Sequence, residues 1–242
     1  MRSSIWIALG LVGLPLPAGA QAAAPAPDAS QLKLGVDSLA IFVVQGRDTV
    51  RTGIIVDDLA VDSSAGTRRL VRVYWSQDQV LGQRVDTIVD TFEGLQPIAY
   101  RSRASTGSEF LDFTTGHVTG WLRLVDGDSV GVDAPLPQPV YNSATFDVVL
   151  RASPLRDGFA VEMPGFLAST RGVAPLSARV TGTGLVAQRD CWIVRAEFAG
   201  MPVTFWIDVN TRQLRQQVMQ VRPGMQILFT TMQSPRATRR AT

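Results

Sequence analysis

A mainly β protein, one antiparallel domain with a single short helix near mid-chain, is the fold this sequence predicts. Three observations predict it. Apolar and polar residues alternate over runs rich in β-branched and aromatic side chains, as in "RRLVRVYW", where Val71, Val73 and Trp75 share one face and Arg72 and Tyr74 the other. Turn chemistry interrupts these runs every eight to twelve residues or so. One stretch alone, "NSATFDVVLRASPL", carries helical spacing, with Asn142 or Ser143 as N-cap, Phe146, Val149 and Leu150 on one stripe and Pro154 as the stop.

Taken in order along the 242 residues, the first element is not part of the fold. Arg2, the apolar run Ile5 to Leu16 and the small residues of "PAGAQAAA" read as a cleaved export signal over residues 1–22, with cleavage after Ala20 or Ala22. The apolar run is too short to span a bilayer, and no cysteine stands near the cleavage point to take a lipid. A periplasmic or secreted location follows as the expectation. "APAPDAS" then suggests a flexible linker, residues 23–37, and a single β domain is expected over 38–232.

Within that domain "LAIFVV" (Leu39 to Val44) is a buried strand, and Thr49 to Val61 a long strand or bent pair. Hairpin turns are expected at Thr115-Gly116, at Asp126-Gly127 and around Arg189-Asp190. The prolines of "APLPQPV" make residues 134–140 a connector, because proline cannot donate to a ladder. "VDTIVDTFEGLQP" and "VTFWIDVNTRQL" echo each other as two corners of the same type, Asp90 and Leu95 answering Asp208 and Leu214. Residues 233–242, with Arg236, Arg239 and Arg240, read as a frayed basic tail.

Several chemistries are disfavoured. "GTGLVA" (Gly182 to Ala187) satisfies the dinucleotide pattern, but "QRDCWIV" follows it as a turn and strand where a helix is required, so its glycines mark a bend or a close approach. His117 is the single histidine, beside no activated hydroxyl and in a chain without a G-x-S-x-G elbow, and it reads as a hairpin residue. One histidine and one cysteine make no zinc site. The aspartates at Asp57-Asp58-Asp62 and Asp126-Asp128-Asp133 lack the calcium-loop pattern and read as solvated turn carboxylates. Cys191, before Trp192, is a small packed group. Net charge +2 with mixed signs gives no case for nucleic acid. No metal, cofactor or catalytic residue is expected, and a hydrolase ranks behind non-catalytic readings.

The hairpin Phe205 to Leu214, with "DTFEGLQP" (Asp90 to Pro97), "GHVTG" (Gly116 to Gly120), the export signal and the lone helix, resembles the periplasmic outer-membrane lipoprotein-carrier superfamily, including its sigma-E regulatory binder branch. The resemblance implies a strongly curved half-open barrel whose apolar interior, under the helix, holds a lipid or lipoprotein acyl chain. Trp75, Trp121, Phe146, Trp206 and Phe229 are then the candidate ligand contacts. The chain would act as a monomer, peripheral to a membrane at most. The alternative is a structural or protein-interaction module of the envelope, with a protein partner and no small ligand.

Overall fold

Long alternating runs joined by two- to four-residue turns can pair only with their sequence neighbours, and the chain does little else. The computed structural model describes residues 26–232 apart from 65, 81, 138 and 199; the segments expected to be an export signal and a basic tail lie outside the described residues. Eight strands follow one another as a meander: β1 (Gly35–Gln45), β2 (Asp48–Asp62), β3 (Arg69–Asp78), β4 (Gly82–Thr91), β5 (Pro97–Ala104), β6 (Gly107–Thr114), β7 (His117–Leu124) and β8 (Ser129–Pro135). After a two-residue β9 (Tyr141–Asn142) and the helix α1 (Phe146–Arg151), a second meander runs through β10 (Ala160–Leu167), β11 (Gly172–Val186), β12 (Arg189–Phe198), β13 (Met201–Asp208), β14 (Leu214–Arg222) and β15 (Met225–Thr231).

β15 returns to pair with β1, so both meanders fuse into one 15-stranded sheet, ordered β8-β7-β6-β5-β4-β3-β2-β1-β15-β14-β13-β12-β11-β10-β9. All neighbours are antiparallel except β9 with β10. A sheet this wide curls, and its far strands meet: Phe113 of β6 packs edge-on against Phe166 of β10, ring centres 5.6 Å apart. The expected mainly β, curved single sheet with one short helix is therefore what forms.

The helix packs on the concave face of the sheet and fills its interior. A 3-10 turn, Ser143–Thr145, leads into it, capped by the Asn142 side chain, which accepts from the Ala144 N–H at 3.0 Å. All six residues of α1 are buried, including Asp147 and Arg151. Phe146 stacks edge-on against Phe198, centres 4.9 Å apart, and Val148, Val149 and Leu150 join the main core with Ile41, Ile55, Leu70, Phe205 and Ile207.

Two local expectations need correction, and one face left open is settled. The turn placed around Arg189-Asp190 falls at Ala187-Gln188, which adopt φ of 49° and 60°; a two-residue hairpin loop needs left-handed φ at both positions, and neither dipeptide carries the Asn-Gly signature that would have located it. The segment 23–37 is structured well before its end. Asp28 caps the 3-10 turn Ala29–Gln31 and donates its own N–H to the Ala152 carbonyl at 2.9 Å, Ala29 and Leu32 are buried, and β1 starts at Gly35. The dry face of "RRLVRVYW" is the one carrying Arg72 and Tyr74. Val71, Val73 and Trp75 point outward, and Val73 is 40% exposed.

Other features fall where expected. The glycines of "GTGLVA" sit in β11 at a register shift between Val180 and Gly182, and a Cβ on Gly184 would lie 3.1 Å from Ile193. Gly120 of "GHVTG" is needed for close approach, because a Cβ there would lie 1.9 Å from the Phe110 carbonyl oxygen.

Candidate functional site

Between α1 and the curled sheet lies a hollow of about 420 Å³. Its two walls differ in chemistry, and strand order explains the difference. One wall comes from strands on the β15 side of the sheet centre and is mostly apolar: Ile41, Phe198, Phe205, Met219 and Phe229, with Gln217 among them. The facing wall comes from β3 and β4 and is mostly polar: Arg72, Tyr74, Ser76, Asp78, Arg84 and Asp86. Ser143, Ala144 and Asp147 close the helix end, and Gly82, Ala104 and Thr106 border the opposite end.

The charged groups of the polar wall neutralise one another. Arg72 reaches two carboxylates at once. Its Nε and Nη2 donate to Asp57 at 2.7 and 2.9 Å, its Nη1 and Nη2 to Asp147 at 2.8 and 3.1 Å, and Nη1 also reaches the Ala144 carbonyl at 3.2 Å. Arg151 lies behind, with Nη1 3.9 Å from Asp147 and 4.0 Å from Asp57, and donates through Nε to the Arg212 carbonyl at 2.8 Å. Two guanidiniums and two carboxylates thus share one dry site. Burial pushes the Asp57 carboxyl up, but the Arg72 charge and hydrogen bonds, with Arg151 behind, outweigh it and leave it below the ordinary range. Burial opposes the charge on Arg72, yet Asp147 and Asp57 carry its pKa well above normal. Arg151 goes the other way, because for it burial exceeds the help of the same carboxylates.

Nearer the open end, Arg84 Nε donates to both Asp86 oxygens at 2.9 and 2.8 Å, and its Nη2 to the Tyr100 hydroxyl. Asp78 accepts from the Thr52 hydroxyl and, at 2.7 Å, from the Val80 N–H. Each carboxylate that faces the hollow is therefore held by a donor. Asp90, one row deeper on β4, differs. It is 2% exposed, and its Oδ1 has no hydrogen-bond partner among the described residues. Burial raises its pKa to about 7, against smaller lowering effects of Arg72 and Thr145.

The five aromatic candidates do not come together. Phe229 lines the hollow. Phe146 is fully buried beside it in the packing of α1. Trp75, Trp121 and Trp206 stand on the outer face: Trp121 stacks on Phe110 with ring centres 4.3 Å apart, under Arg123 at 5.7 Å, and Trp206 neighbours Gly184 and Ile193. Sequence reasoning missed Arg72, Asp57, Asp147 and Arg151. Asp57 is not a solvated turn carboxylate, because Arg72, diagonal to it across the β2–β3 pair, binds it, and Asp58 points to the other face. The one usable signal was Arg72 sharing a face with Tyr74 while an acid occupied the first turn of the helix.

The remaining candidates sit apart from the hollow. His117 bonds through its ring to Asp133 on the outer surface. Cys191 is fully buried, and burial with the nearby Asp208 charge pushes its thiol up. A maleimide reagent is expected to leave it unmodified in the native protein and to label it at once after denaturation, as mass spectrometry would read. Asp208 ends β13 by accepting from the N–H groups of Asn210 and Thr211 at 3.0 and 2.9 Å and from Arg215 at 2.9 Å. These bonds overcome its burial and hold its carboxyl below the ordinary range. The two echoing corners have one geometry. Thr91 N–H bonds the Gln96 carbonyl as Asp208 N–H bonds that of Gln213, and Leu95 and Arg212 are both left-handed. Thr91, not Asp90, is thus the counterpart of Asp208.

A family model described as "Protein of unknown function (DUF3108)" matches residues 34–226. A search of curated proteins finds no match. Among solved structures, the chain is similar to a β-barrel-like protein of the domain of unknown function DUF1849 from Brucella abortus. The TM-score is 0.51 at 12% identity, with 83% of this chain and 98% of that one covered. At that identity the likeness concerns the fold.

Proposed function

We propose for this chain, which belongs to the DUF3108 family of proteins of unknown function, a non-catalytic role in the bacterial envelope: exported across the inner membrane, it holds one amphiphile or lipoprotein acyl segment in the hollow. The observation that carries this reading is the two-walled lining. An apolar chain would lie against Ile41, Phe205, Met219 and Phe229, and a polar end against the β3–β4 wall. The volume falls within the range of about 300–1,000 Å³ typical of small-molecule sites. The resemblance to lipoprotein carriers points the same way.

The electrostatics narrow the ligand. Both arginines of the polar wall are already matched by carboxylates, so a fatty-acid carboxylate would find no unmatched cation. A neutral, zwitterionic or cationic head, bonding through hydroxyl, amide or ammonium groups, suits this wall better. The engagement of every lining carboxylate by a donor also supports binding over general-base chemistry.

An environment-sensitive naphthalene probe is expected to brighten on binding and to be displaced by a lysophospholipid. Met219→Trp, which fills the apolar wall, should weaken that binding by about tenfold, roughly 1.4 kcal/mol, while thermal melting shows the fold intact. Unchanged affinity in that variant would count against the hollow as the site. A second reading, an envelope interaction module, is favoured by the Phe110–Trp121 stack on the outer face with Arg101, Arg103 and Arg123 over its rings. It predicts loss of a protein partner in Trp121→Ala with probe binding untouched.

A further inference from the structure

An antiparallel meander puts alternate turns at opposite ends of the sheet, and the two ends of this one are finished differently. At the helix end two turns are tied into the core, although Leu34, Val36 and Leu185 stand exposed there. The β4–β5 turn buries Phe92 and Leu95, and the β13–β14 turn receives Arg151 on its Arg212 carbonyl. At the other end lie the turns β1–β2, β3–β4, β5–β6, β7–β8, β10–β11, β12–β13 and β14–β15, two of them joined by the Gly46 N–H to Gly224 carbonyl bond. Here apolar side chains stand in solvent on separate tips: Val50, Val80 (68% exposed), Leu124, Val125 (73%), Met201 and Val221. Exposed arginines alternate with them: Arg47, Arg51, Arg103, Arg123, Arg171 and Arg222. The exposed acids of this end are Asp48, Asp126, Asp128 and Glu197, so six positive charges face four negative, a surplus of two. Gly82, Ala104 and Thr106 bring the hollow out to this same end.

We infer that this rim is a docking surface for an anionic bilayer, seating the mouth of the hollow against the lipid from which its occupant is taken or to which it is given. The inference rests on the amphiphile-binding reading for its purpose, but not for its evidence. Isolated valines and leucines on the tips of different hairpins do not make the contiguous patch that a protein partner would cover. They suit a fluid interface, where each side chain inserts separately and the arginines meet lipid phosphates. The surplus charge selects anionic over zwitterionic lipid, and the contact should weaken as salt screens it.

The test is sedimentation with vesicles, using the chain as recovered from the periplasmic fraction of an expressing bacterium. Vesicles rich in phosphatidylglycerol should carry the protein down at low salt, and phosphatidylcholine vesicles should carry far less. Val80→Ser with Leu124→Ser and Val125→Ser, and separately Arg103→Glu with Arg123→Glu, should each weaken binding by about tenfold or more. Val36→Ser with Leu185→Ser, at the helix end, should leave it unchanged; melting curves establish that all variants are folded. Equal sedimentation of native and rim variants, equal loss in the helix-end variant, or no sedimentation with phosphatidylglycerol would each overturn the inference. So would capture by polyglutamate without vesicle binding, which would assign the rim to an acidic protein. Probe uptake measured without vesicles tests the hollow independently, so failure of the rim and failure of the hollow are distinguishable.

Discussion

Replacing Arg72 with methionine should lower the unfolding free energy by about 3–5 kcal/mol, the usual consequence of removing one partner from a buried ion pair. The substitution keeps most of the side-chain volume but leaves Asp57 and Asp147 facing each other in the dry interior, with only Arg151 at 3.9–4.0 Å to compensate. Because Asp147 is on α1 and Asp57 on β2, the lost contacts are also those that tie the helix to the sheet. Arg72→Lys should fall between native and methionine, since an ammonium cannot present two forked pairs of donors. The double variant Arg72→Met, Asp57→Asn, which leaves Arg151 and Asp147 as one matched buried pair, should recover much of the loss. Chemical denaturation of the four proteins measures all of this. A single-variant loss below about 1 kcal/mol would mean that the pair behaves as a surface salt bridge.

The second large effect concerns Asp90. Its carboxyl moves from an ordinary 3.8 to about 7 in the folded protein. Between those values the native state holds a proton that the unfolded chain has released, so stability falls as pH rises through that window and levels off above it. The full shift corresponds to roughly 4 kcal/mol as an upper bound. Asp57 and Asp208 have lowered values, so their contribution is lost as pH falls below about 4. The two trends oppose each other, and maximum stability is expected near pH 4–5, on the acid side of neutrality. Asp90→Asn should flatten the slope between pH 4 and 7 and make the protein more stable than native at pH 8. A native profile flat across that window would show that Asp90 is ionised at neutral pH and solvated.

Much of the fold was legible because its signals are local. Alternation, turn chemistry at Thr115-Gly116 and Asp126-Gly127, and the capped stretch from Asn142 each depend on neighbours within a few residues. Which face of a strand is inside is not a local property. The alternation of "RRLVRVYW" does not say which face is dry, and an arginine is normally the wet partner. The opposite arrangement holds because Asp57, 15 positions earlier, and Asp147, 75 positions later, supply carboxylates that only the folded chain brings together. Trp206 is outward for a related reason: Phe205 and Ile207 already occupy the interior beside α1. The candidate site was therefore read at the level of fold, an interior under a helix, while three of the five aromatics selected for it stand on the other side of the sheet.

Native mass spectrometry of the protein taken directly from a periplasmic fraction tests the central claim most directly. An occupied hollow predicts a population heavier than the polypeptide by the mass of one phospholipid, lysophospholipid or acylated peptide, released on mild activation and diminished in Met219→Trp. A bare polypeptide mass, unchanged after incubation with lysophospholipid, would contradict it.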